Sequence, residues 1–108
     1  MNGKIPGSSR IGILTSGGDA PGMNAAIRAV YRAAHELGIE VVGIRRGFSG
    51  LIEGDFFLMD RSHVANIIHL GGTVLGTSRS EEFKTSEGRK KSAENLRNAE
   101  IDALLVIG

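Results

Sequence analysis

The sequence predicts an α/β fold, with an open parallel sheet and flanking helices. Short apolar runs alternate with longer stretches in which apolar residues recur every three or four positions, which is the pattern of strands followed by helices. The apolar residues are mostly aliphatic, with four Phe, one Tyr and no Trp in 108 residues, as is typical of buried parallel strands. The 16 glycines cluster between these elements, where they permit close approach of the backbone to a ligand.

The first half of the chain predicts a strand, a helix and a second strand. Residues 11–15 form a short apolar run that indicates a buried strand. A helix is expected over about 21–37, with Pro21 in its first turn and Gly38 just past its end. The second strand is expected over 40–44, parallel to the first because one helix separates the two. The residues expected on the buried face of the helix are Met23, Ala26, Ile27, Val30, Ala33, Ala34 and Leu37.

The second half predicts shorter elements before a last helix and strand. We expect extended pieces at 51–52 and 56–59, and then a helix from the N-cap Asp60 to residue 70. Residues 71–83 show no persistent period and indicate a loop. A polar helix follows over about 85–98, in which Glu87 and Lys91 have the spacing of a favourable ion pair. Residues 101–107 indicate another buried strand. The inward-facing residues expected in the helix after Asp60 are Val64, Ile67 and Ile68.

Composition and charge exclude several classes of protein. The formal charge of +1 argues against a general nucleic-acid binder, which would carry a basic excess. The absence of cysteine excludes disulfides and thiolate metal sites. No apolar run is long enough to span a bilayer, so we expect a cytoplasmic protein with neither nucleic acid nor membrane as a partner.

The organisation we expect is a flexible tail over 1–9 and a single α/β unit over 10–108. The chain stops at Gly108, directly after a strand. Ligands bind at the carboxyl ends of strands in such sheets, so the next loop should carry function. The sequence therefore indicates an incomplete chain. The alternative is a naturally small protein that ends on a bare strand.

The first glycine-rich loop, residues 15–24 (TSGGDAPGMN), joins the first strand to the first helix. The start of a helix offers free backbone N–H groups and a positive dipole end, and both suit a phosphate. The alternative is a tight turn without a ligand. No Gly-Lys-Ser/Thr follows, so the loop is not a P-loop. Arg45 and Arg46 stand where a dinucleotide site expects an acidic residue, which leaves an NADP site as a weak possibility.

Two polar residues of this loop each allow two interpretations. Asp19 would repel a phosphate, so we interpret it as a residue that fixes the turn by hydrogen bonding. Asn24 either orients the loop through hydrogen bonds or is an ordinary exposed helix residue.

Three arginines are placed unfavourably, although a pair such as Arg28 and Arg32 is usually a solvated helix face. Arg28 and Arg32 are four residues apart and repel each other on one helix face. Arg61 lies in the first turn of a helix, where the dipole disfavours a cation. A bound anion would turn these repulsions into attraction. Arg79 ends a second glycine-rich loop, residues 71–79 (GGTVLGTSR); its guanidinium could stabilise a transferring phosphoryl group, or it could be a surface residue.

These motifs resemble those of the phosphofructokinases. Residues 15–28 (TSGGDAPGMNAAIR) are similar to the family's opening motif and residues 71–79 to its second motif. Residues 101–108 (IDALLVIG) resemble the strand before its nucleotide loop. The resemblance covers about residues 10–108, and it implies the amino-terminal, Rossmann-like half-domain of the phosphofructokinase fold.

The resemblance implies a glycolytic kinase, of the bacterial ATP-dependent type, that transfers the ATP γ-phosphoryl group to the 1-hydroxyl of fructose 6-phosphate with Mg²⁺. It implies nucleotide binding by Gly18, Arg79, Ser80 and Gly108, and a catalytic role for Arg79. Arg28, Arg32 and Arg61 match positions that bind a regulatory effector, ADP or phosphoenolpyruvate, at a subunit interface. Such enzymes are typically homotetramers.

The sequence departs from the family at two positions. Ser80 stands where many members have an apolar residue or cysteine, so the packing around adenine should differ. Asn66 stands where some bacterial members have an acid, which leaves the effector open. The family's magnesium ligand and catalytic base are expected beyond residue 108, so this chain alone should be inactive. The alternatives are a pyrophosphate-dependent phosphofructokinase, a nonenzymatic nucleotide- or phosphate-binding module, and an NADP-binding oxidoreductase domain.

Overall fold

The sheet has four strands, of which three are parallel. The computed structural model describes residues 4, 7–17 and 22–108. Its strands are β1 (Arg10–Thr15), β2 (Glu40–Ile44), β3 (Phe56–Leu58) and β4 (Ala103–Ile107), in the order β3-β2-β1-β4. β1 pairs in parallel with β2 and β4, whereas β3 is antiparallel to β2. The predicted α/β sheet is confirmed, but it is mixed, because a short connection brings the chain back along β2 instead of crossing over it.

The first helix, α1 (Met23–Glu36), follows Gly22, whose φ of +92° lies in the left-handed region. It ends before Gly38, which has a φ of +72°, so the predicted helix and its glycine stop are confirmed. The predicted buried face is partly wrong. Ala33 is exposed and Leu37 is 75% exposed, whereas Asn24 and Tyr31 are buried. The apolar stripe is therefore rotated toward these two residues.

The segment after β2 is helical where we expected an extended piece. Residues 51–52 belong to α2 (Gly47–Glu53), which ends at Gly54 with a φ of +75°. A short apolar run does not distinguish a strand from a helix. Contacts with a distant part of the chain favour the helix at residues 51–52. The Asn95 side chain donates to the carbonyls of Leu51 and Ile52 at 3.0 and 2.8 Å, closing the carboxyl end of α2.

Asp60 caps the next helix as predicted, but this helix, α3 (Arg61–Val64), is much shorter than expected. The Asp60 carboxylate accepts from the Ser62 amide, and the Asp60 amide donates to His63 Nδ1 at 2.9 Å. Asn66 adopts a φ of +60°, which ends the α-helical path. A 3₁₀ turn, Ile67–His69, follows, and it buries Ile67 but leaves Ile68 50% exposed.

The last helix, α4 (Ser86–Asn98), is confirmed, with Thr85 as its N-cap. Lys91 pairs with Glu82 at 3.0 Å, not with Glu87 as the spacing predicted. Glu82 belongs to a 3₁₀ turn, Glu82–Lys84, that packs against the start of α4. β4 is shorter than predicted, and it is not a buried strand: Leu105 and Val106 are 42% and 44% exposed.

Two apolar clusters pack on opposite faces of the sheet. Neighbouring β1 residues alternate between them, with Ile13 in one cluster and Leu14 in the other. At the amino ends of the strands, the buried Arg10 guanidinium donates to the Ala99 carbonyl at 2.7 Å and to Glu40 at 3.1 Å. The glycine-rich loops lie at the carboxyl ends. No helix in the described part of the chain has the length and apolar character needed to cross a membrane.

Candidate functional site

A cavity of about 730 Å³ opens at the carboxyl end of β1. We call it the Arg79 cavity. Its walls come from the end of β1, the start of α2 and the segment that ends the second glycine-rich loop. The lining residues are Ser16, Gly17, Phe48, Thr77, Ser78, Arg79, Ser80, Glu81, Phe83 and Lys84. Its position agrees with the rule that open α/β sheets bind ligands beyond the carboxyl ends of their strands.

Two aromatic rings form one wall of the Arg79 cavity. The rings of Phe48 and Phe83 stack with their centroids 4.4 Å apart and their planes at 28°. The Ser80 hydroxyl accepts from the Phe83 amide at 3.2 Å, so Ser80 supports this wall as well as lining the cavity. Both rings are half-buried and also pack against the core cluster that contains Leu14, and aromatic side chains that line a cavity can stack on nucleobases. The cavity therefore has an apolar surface for a ring system next to a charged one.

Hydrogen bonds anchor the second glycine-rich loop to the sheet. The buried Thr15 hydroxyl donates to the Gly76 carbonyl at 2.9 Å and lies 3.1 Å from the Thr73 hydroxyl. The Arg46 amide donates to the Leu75 carbonyl at 2.9 Å. Ser49 and Ser78 bond through their hydroxyls at the cavity wall. These contacts fix the backbone up to Ser78, which is the residue before Arg79.

The Arg79 side chain is exposed on this anchored loop. Within residues 4, 7–17 and 22–108, no carboxylate lies within ion-pair distance of its guanidinium. Lys84 adds a second cation to the cavity wall, although it lies 3.4 Å from the Glu81 carboxylate. The Arg79 charge is thus available to an incoming anion, and guanidinium binds phosphoryl oxygens in a bidentate manner.

The cavity brings together two of the four predicted nucleotide-binding residues, Arg79 and Ser80. Gly18, together with Asp19, lies outside the described residues. Gly108 does not line the cavity, but it packs against Ser16 so closely that a Cβ atom there would lie 2.5 Å from the Ser16 hydroxyl. The Ser16 amide donates to the Ile107 carbonyl at 2.9 Å. The chain after β4 therefore leaves the sheet beside the cavity.

Two residues of the first glycine-rich loop, Ser16 and Gly17, line this cavity, and residues 18–21 of that loop lie outside the described residues. None of the described residues of α1 lines it. Asn24, which could have been an exposed helix residue, is only 3% exposed. Its amide bonds the second glycine-rich loop at Leu70 and Val74, so it orients a loop, although the loop lies far away in the sequence.

A second cavity, of about 560 Å³, lies between α1 and α3. We call it the arginine pocket. It contains Arg28, Arg32 and Arg61 together, and its other lining residues are Tyr31, His35, Glu36, Val64, Ala65 and Asn66. The three arginines thus line one pocket, and their binding of an effector stays a prediction. In the part of the chain that the structure describes, no ion pair involves them, so a bound anion would neutralise three cations at once.

Asp60 is the N-cap of α3, the helix that carries Arg61 of this pocket. The Ser62 hydroxyl donates to the Asp60 carboxylate and holds the pKa of that group below its ordinary value of 3.8, with further help from the Ser62 amide. An ionised Asp60 favours the amino end of α3 through the helix dipole. The Asp60 charge therefore stabilises the helical turn that contains Arg61. The positive charge of Arg61 is itself unfavourable there, because it lies at the positive end of the helix dipole.

Sequence reasoning did not identify Phe48, Phe83 or Lys84 as site residues. Phe48 lies between the second predicted strand and the extended piece expected at 51–52, and Phe83 and Lys84 lie where the loop expected over 71–83 meets the last predicted helix. The stack of Phe48 and Phe83 joins residues 35 positions apart, since α2 and the 3₁₀ turn meet only in the fold. The only local signal was that Phe83 and Lys84 directly precede the predicted last helix. No local signal pointed to Phe48.

The described residues contain no group of three or more His, Asp or Glu side chains that could hold a metal ion. His35 lines the arginine pocket and stacks on Tyr31, and His63 completes the cap of α3. The histidines at these two positions are therefore accounted for by packing and capping.

Comparison with known proteins gives consistent results for nearly the whole chain. The sequence model of the family described as Phosphofructokinase matches residues 10–108. The ATP-dependent 6-phosphofructokinase of Halothermothrix orenii is 62% identical over 99 residues, which are 92% of this chain and 30% of that protein. ATP-dependent 6-phosphofructokinase 1 of Thermus thermophilus is 60% identical over the same length and has 31% of its own length covered. The chain thus spans about 30% of these relatives.

Solved structures give the same result for the fold. Phosphofructokinase of Pichia pastoris in the T-state superposes with a TM-score of 0.89 at 41% identity, over 98% of this chain and 12% of that one. Phosphofructokinase of Saccharomyces cerevisiae superposes with a TM-score of 0.88 at 44% identity, over 92% of this chain and 14% of that one. A pyrophosphate-dependent phosphofructokinase of Marinobacter aquaeolei gives 0.76 at 19% identity, over 91% of this chain and 25% of that one, which supports the fold alone.

Proposed function

This chain belongs to the phosphofructokinase family, and from this premise we propose that it forms the nucleotide-side wall of an ATP-dependent 6-phosphofructokinase. The full-length protein would transfer the γ-phosphoryl group of ATP to the 1-hydroxyl of fructose 6-phosphate, giving fructose 1,6-bisphosphate and ADP. Residues 10–108 would be the amino-terminal part of its nucleotide-binding domain. The enzyme would be cytoplasmic and glycolytic.

The observation that supports this proposal most strongly is the composition of the Arg79 cavity. It combines a guanidinium without a carboxylate partner among the described residues and an aromatic wall, at the carboxyl ends of the parallel strands. A nucleoside triphosphate has the two matching parts, a base that stacks and phosphates that pair with cations. In this arrangement Phe48 and Phe83 would face the base, and Arg79 would face the phosphates.

Arg79 would act on the phosphoryl group as it is transferred. In phosphoryl transfer, catalysis depends mainly on positioning and on stabilising charge at the equatorial oxygens. A guanidinium on an anchored loop needs little reorganisation to do this, because its backbone is already fixed by Thr15, Arg46 and Ser49. Loss of one such donor typically reduces kcat by about 10²- to 10³-fold.

Magnesium would accompany the nucleotide, but the described residues contain no cluster that could hold it. Mg²⁺ is commonly bound by substrate phosphates together with one or two carboxylates. Its protein ligand and the catalytic base would lie beyond residue 108, as the resemblance to the family implies. Gly18 and Gly108 would contribute backbone contacts to the nucleotide.

The arginine pocket would bind a regulatory anion, either ADP or phosphoenolpyruvate. Three arginines around a cavity of about 560 Å³ are suited to a diphosphate or to a phosphate and a carboxylate. Asn66 in its lining is neutral, so it would not repel either ligand. The full-length protein would be a homotetramer with this pocket at a subunit interface.

The aromatic wall favours ATP over pyrophosphate as the phosphoryl donor. Pyrophosphate has no ring, so the stacked pair of Phe48 and Phe83 would have no ligand group to contact. A nonenzymatic binding module is also disfavoured, because the relatives that are about 60% identical carry the name of a kinase.

The test is steady-state kinetics of the full-length protein with an Arg79→Ala substitution. We expect kcat to fall by about 10²-fold or more. Arg97→Ala is the matched control, because Arg97 is exposed near the end of α4 and lines neither cavity. An unchanged kcat with only a raised KM for ATP would contradict a role in the transition state.

A further inference from the structure

Asn24 connects the start of α1 to the loop that leads to Arg79. Its side-chain amide nitrogen donates to the Leu70 carbonyl at 3.1 Å, and its side-chain oxygen accepts from the Val74 amide at 2.7 Å. The two bonds flank the pair of glycines at 71 and 72. One donor and one acceptor on the same short side chain are needed, which an asparagine supplies and an aspartate or alanine does not.

Packing cannot hold this part of the loop in place of Asn24. The side chains of Leu70 and Val74 are 56% and 40% exposed, so neither fixes its own backbone by burial. Two consecutive glycines between them lower the cost of moving the backbone. Asn24 itself is 3% exposed, and its bonds therefore act in an environment where they are strong and where losing them is costly.

Residues 70–74, which the two Asn24 bonds hold at both ends, lead directly into the part of the loop that carries Arg79. Thr73, which lies between the two clamped positions, bonds the Leu75 amide at 3.2 Å and lies 3.1 Å from the Thr15 hydroxyl. Ser78, whose hydroxyl bonds that of Ser49, lies four residues after Val74 and directly before Arg79. Asn24 therefore sets where the anchored loop begins, whereas Thr15 and Ser49 hold its middle and end.

We propose that Asn24 is a positioning residue for phosphoryl transfer, acting through the Arg79 loop. The proposal rests on the proposed function, since it needs Arg79 to act on the transferring group. Asn24 does not touch the substrates in this account. The side-chain bonds of Asn24 go to Leu70 and Val74, outside its own helix, so helix capping is not the role that these bonds serve.

The test is a double-mutant cycle in the full-length protein, with the variants Asn24→Ala, Arg79→Ala and the combination of both. Displacement of a catalytic group by about 1 Å can reduce the rate by about 10²-fold. We therefore expect Asn24→Ala to lower kcat by about 10- to 100-fold and to change the KM for ATP by less than about threefold. In the Arg79→Ala background, the same substitution should lower kcat by less than about threefold, because the residue that it positions is gone.

A second measurement reads the loop without using activity. Hydrogen–deuterium exchange of peptides covering 70–79 should speed up by about tenfold or more in Asn24→Ala, with the strands unchanged. Asn98→Ala is the matched control, because Asn98 is exposed at the end of α4, and it should alter neither kcat nor exchange in this loop. Asn24→Asp keeps the acceptor for Val74 but turns a carboxylate oxygen toward the Leu70 carbonyl in a site that is 3% exposed, so kcat and exchange should change at least as much as in Asn24→Ala.

Three outcomes would overturn the proposal, and a fourth would overturn its premise. Additive losses of kcat in the double variant, or unchanged exchange over 70–79, would show that Asn24 does not act through Arg79. Failure of both Asn24→Ala and Asn24→Asp to fold would assign Asn24 to the framework of the fold instead. If Arg79→Ala alone left kcat unchanged, the proposed function would fail first, which is a distinct result.

Discussion

Gly88 lies where α4 meets the 3₁₀ turn that carries Phe83, and alanine at this position should disturb both. A Cβ atom at Gly88 would lie 2.0 Å from the Glu82 carbonyl oxygen, 2.6 Å from its carbon and 3.1 Å from the Phe83 nitrogen. Ordinary contact begins near 3.4 Å, so the shortest of these distances falls short by 1.4 Å. The neighbours are backbone atoms, which cannot move aside as a flexible side chain would.

Two opposing effects decide the sign of the stability change. Alanine in place of glycine inside a helix normally stabilises by about 0.5 to 1 kcal/mol. Overpacking against a backbone that must shift by more than about 1 Å costs about 1 to 3 kcal/mol. We therefore expect Gly88→Ala to destabilise the protein by about 1 to 2 kcal/mol net, and to lower the melting temperature by about 2 to 8 °C.

The same shift would carry Phe83 away from Phe48. Their stack, with centroids 4.4 Å apart, is the wall proposed for the base, and base stacking is worth about 1 to 3 kcal/mol. We expect Gly88→Ala to raise the KM for ATP by about fivefold or more, while Lys90→Ala, an exposed change on the same helix, leaves both quantities near native. Thermal unfolding and steady-state kinetics measure the two effects. A melting temperature that rises, as ordinary helix propensity predicts, would refute the steric argument.

Two further predictions concern the arginine pocket and the helix beside it. Arg28→Ala should raise the ADP or phosphoenolpyruvate concentration for half-maximal regulation by about 10-fold or more, the equivalent of one charged hydrogen bond. Loss of turnover without effector, with regulation retained, would count against this site. Because the pKa of Asp60 is lowered in the fold from 3.8, its ionised form stabilises the protein above about pH 4, and this contribution is lost as pH falls through the lowered pKa. Asp60→Asn keeps the capping oxygen but removes the charge. Its melting temperature should therefore lie below native at pH 7 and approach native near pH 3. A difference in melting temperature that stays constant with pH would contradict a stabilising role for the Asp60 charge.

The strands and long helices were predictable because their signals are local. β2 has the predicted bounds, and α1 and α4 begin and end within two residues of expectation, since glycine stops and an N-cap mark their ends. The arginine pocket was also predictable, because unfavourable placement of a charge is visible in the sequence. Arg28, Arg32 and Arg61 each conflict with a neighbour or with a helix dipole, and they line one pocket, where a shared anion would resolve all three conflicts.

The missed features depend on contacts between distant segments. α2 is helical because Asn95 closes its end from another helix, and no local pattern contains this information. β3 runs antiparallel to β2, and β4 is an exposed edge strand of the sheet. Both features depend on the order of the strands, which no local pattern encodes. The wall of Phe48 and Phe83 and the clamp by Asn24 likewise join residues far apart in sequence. Thus the sequence singled out the arginines that line the two cavities, whereas the aromatic wall and the loop anchors required the fold.

The most direct test of the central claim is phosphorus NMR of the full-length protein with ATP, Mg²⁺ and fructose 6-phosphate. The account predicts that ATP is converted to ADP while a second phosphate resonance grows on the sugar in equal amount, and that omission of the sugar phosphate stops the reaction. Phosphorylation of the sugar from pyrophosphate but not from ATP would contradict the assignment of the aromatic wall to a nucleotide. No transfer from either donor would contradict the kinase itself.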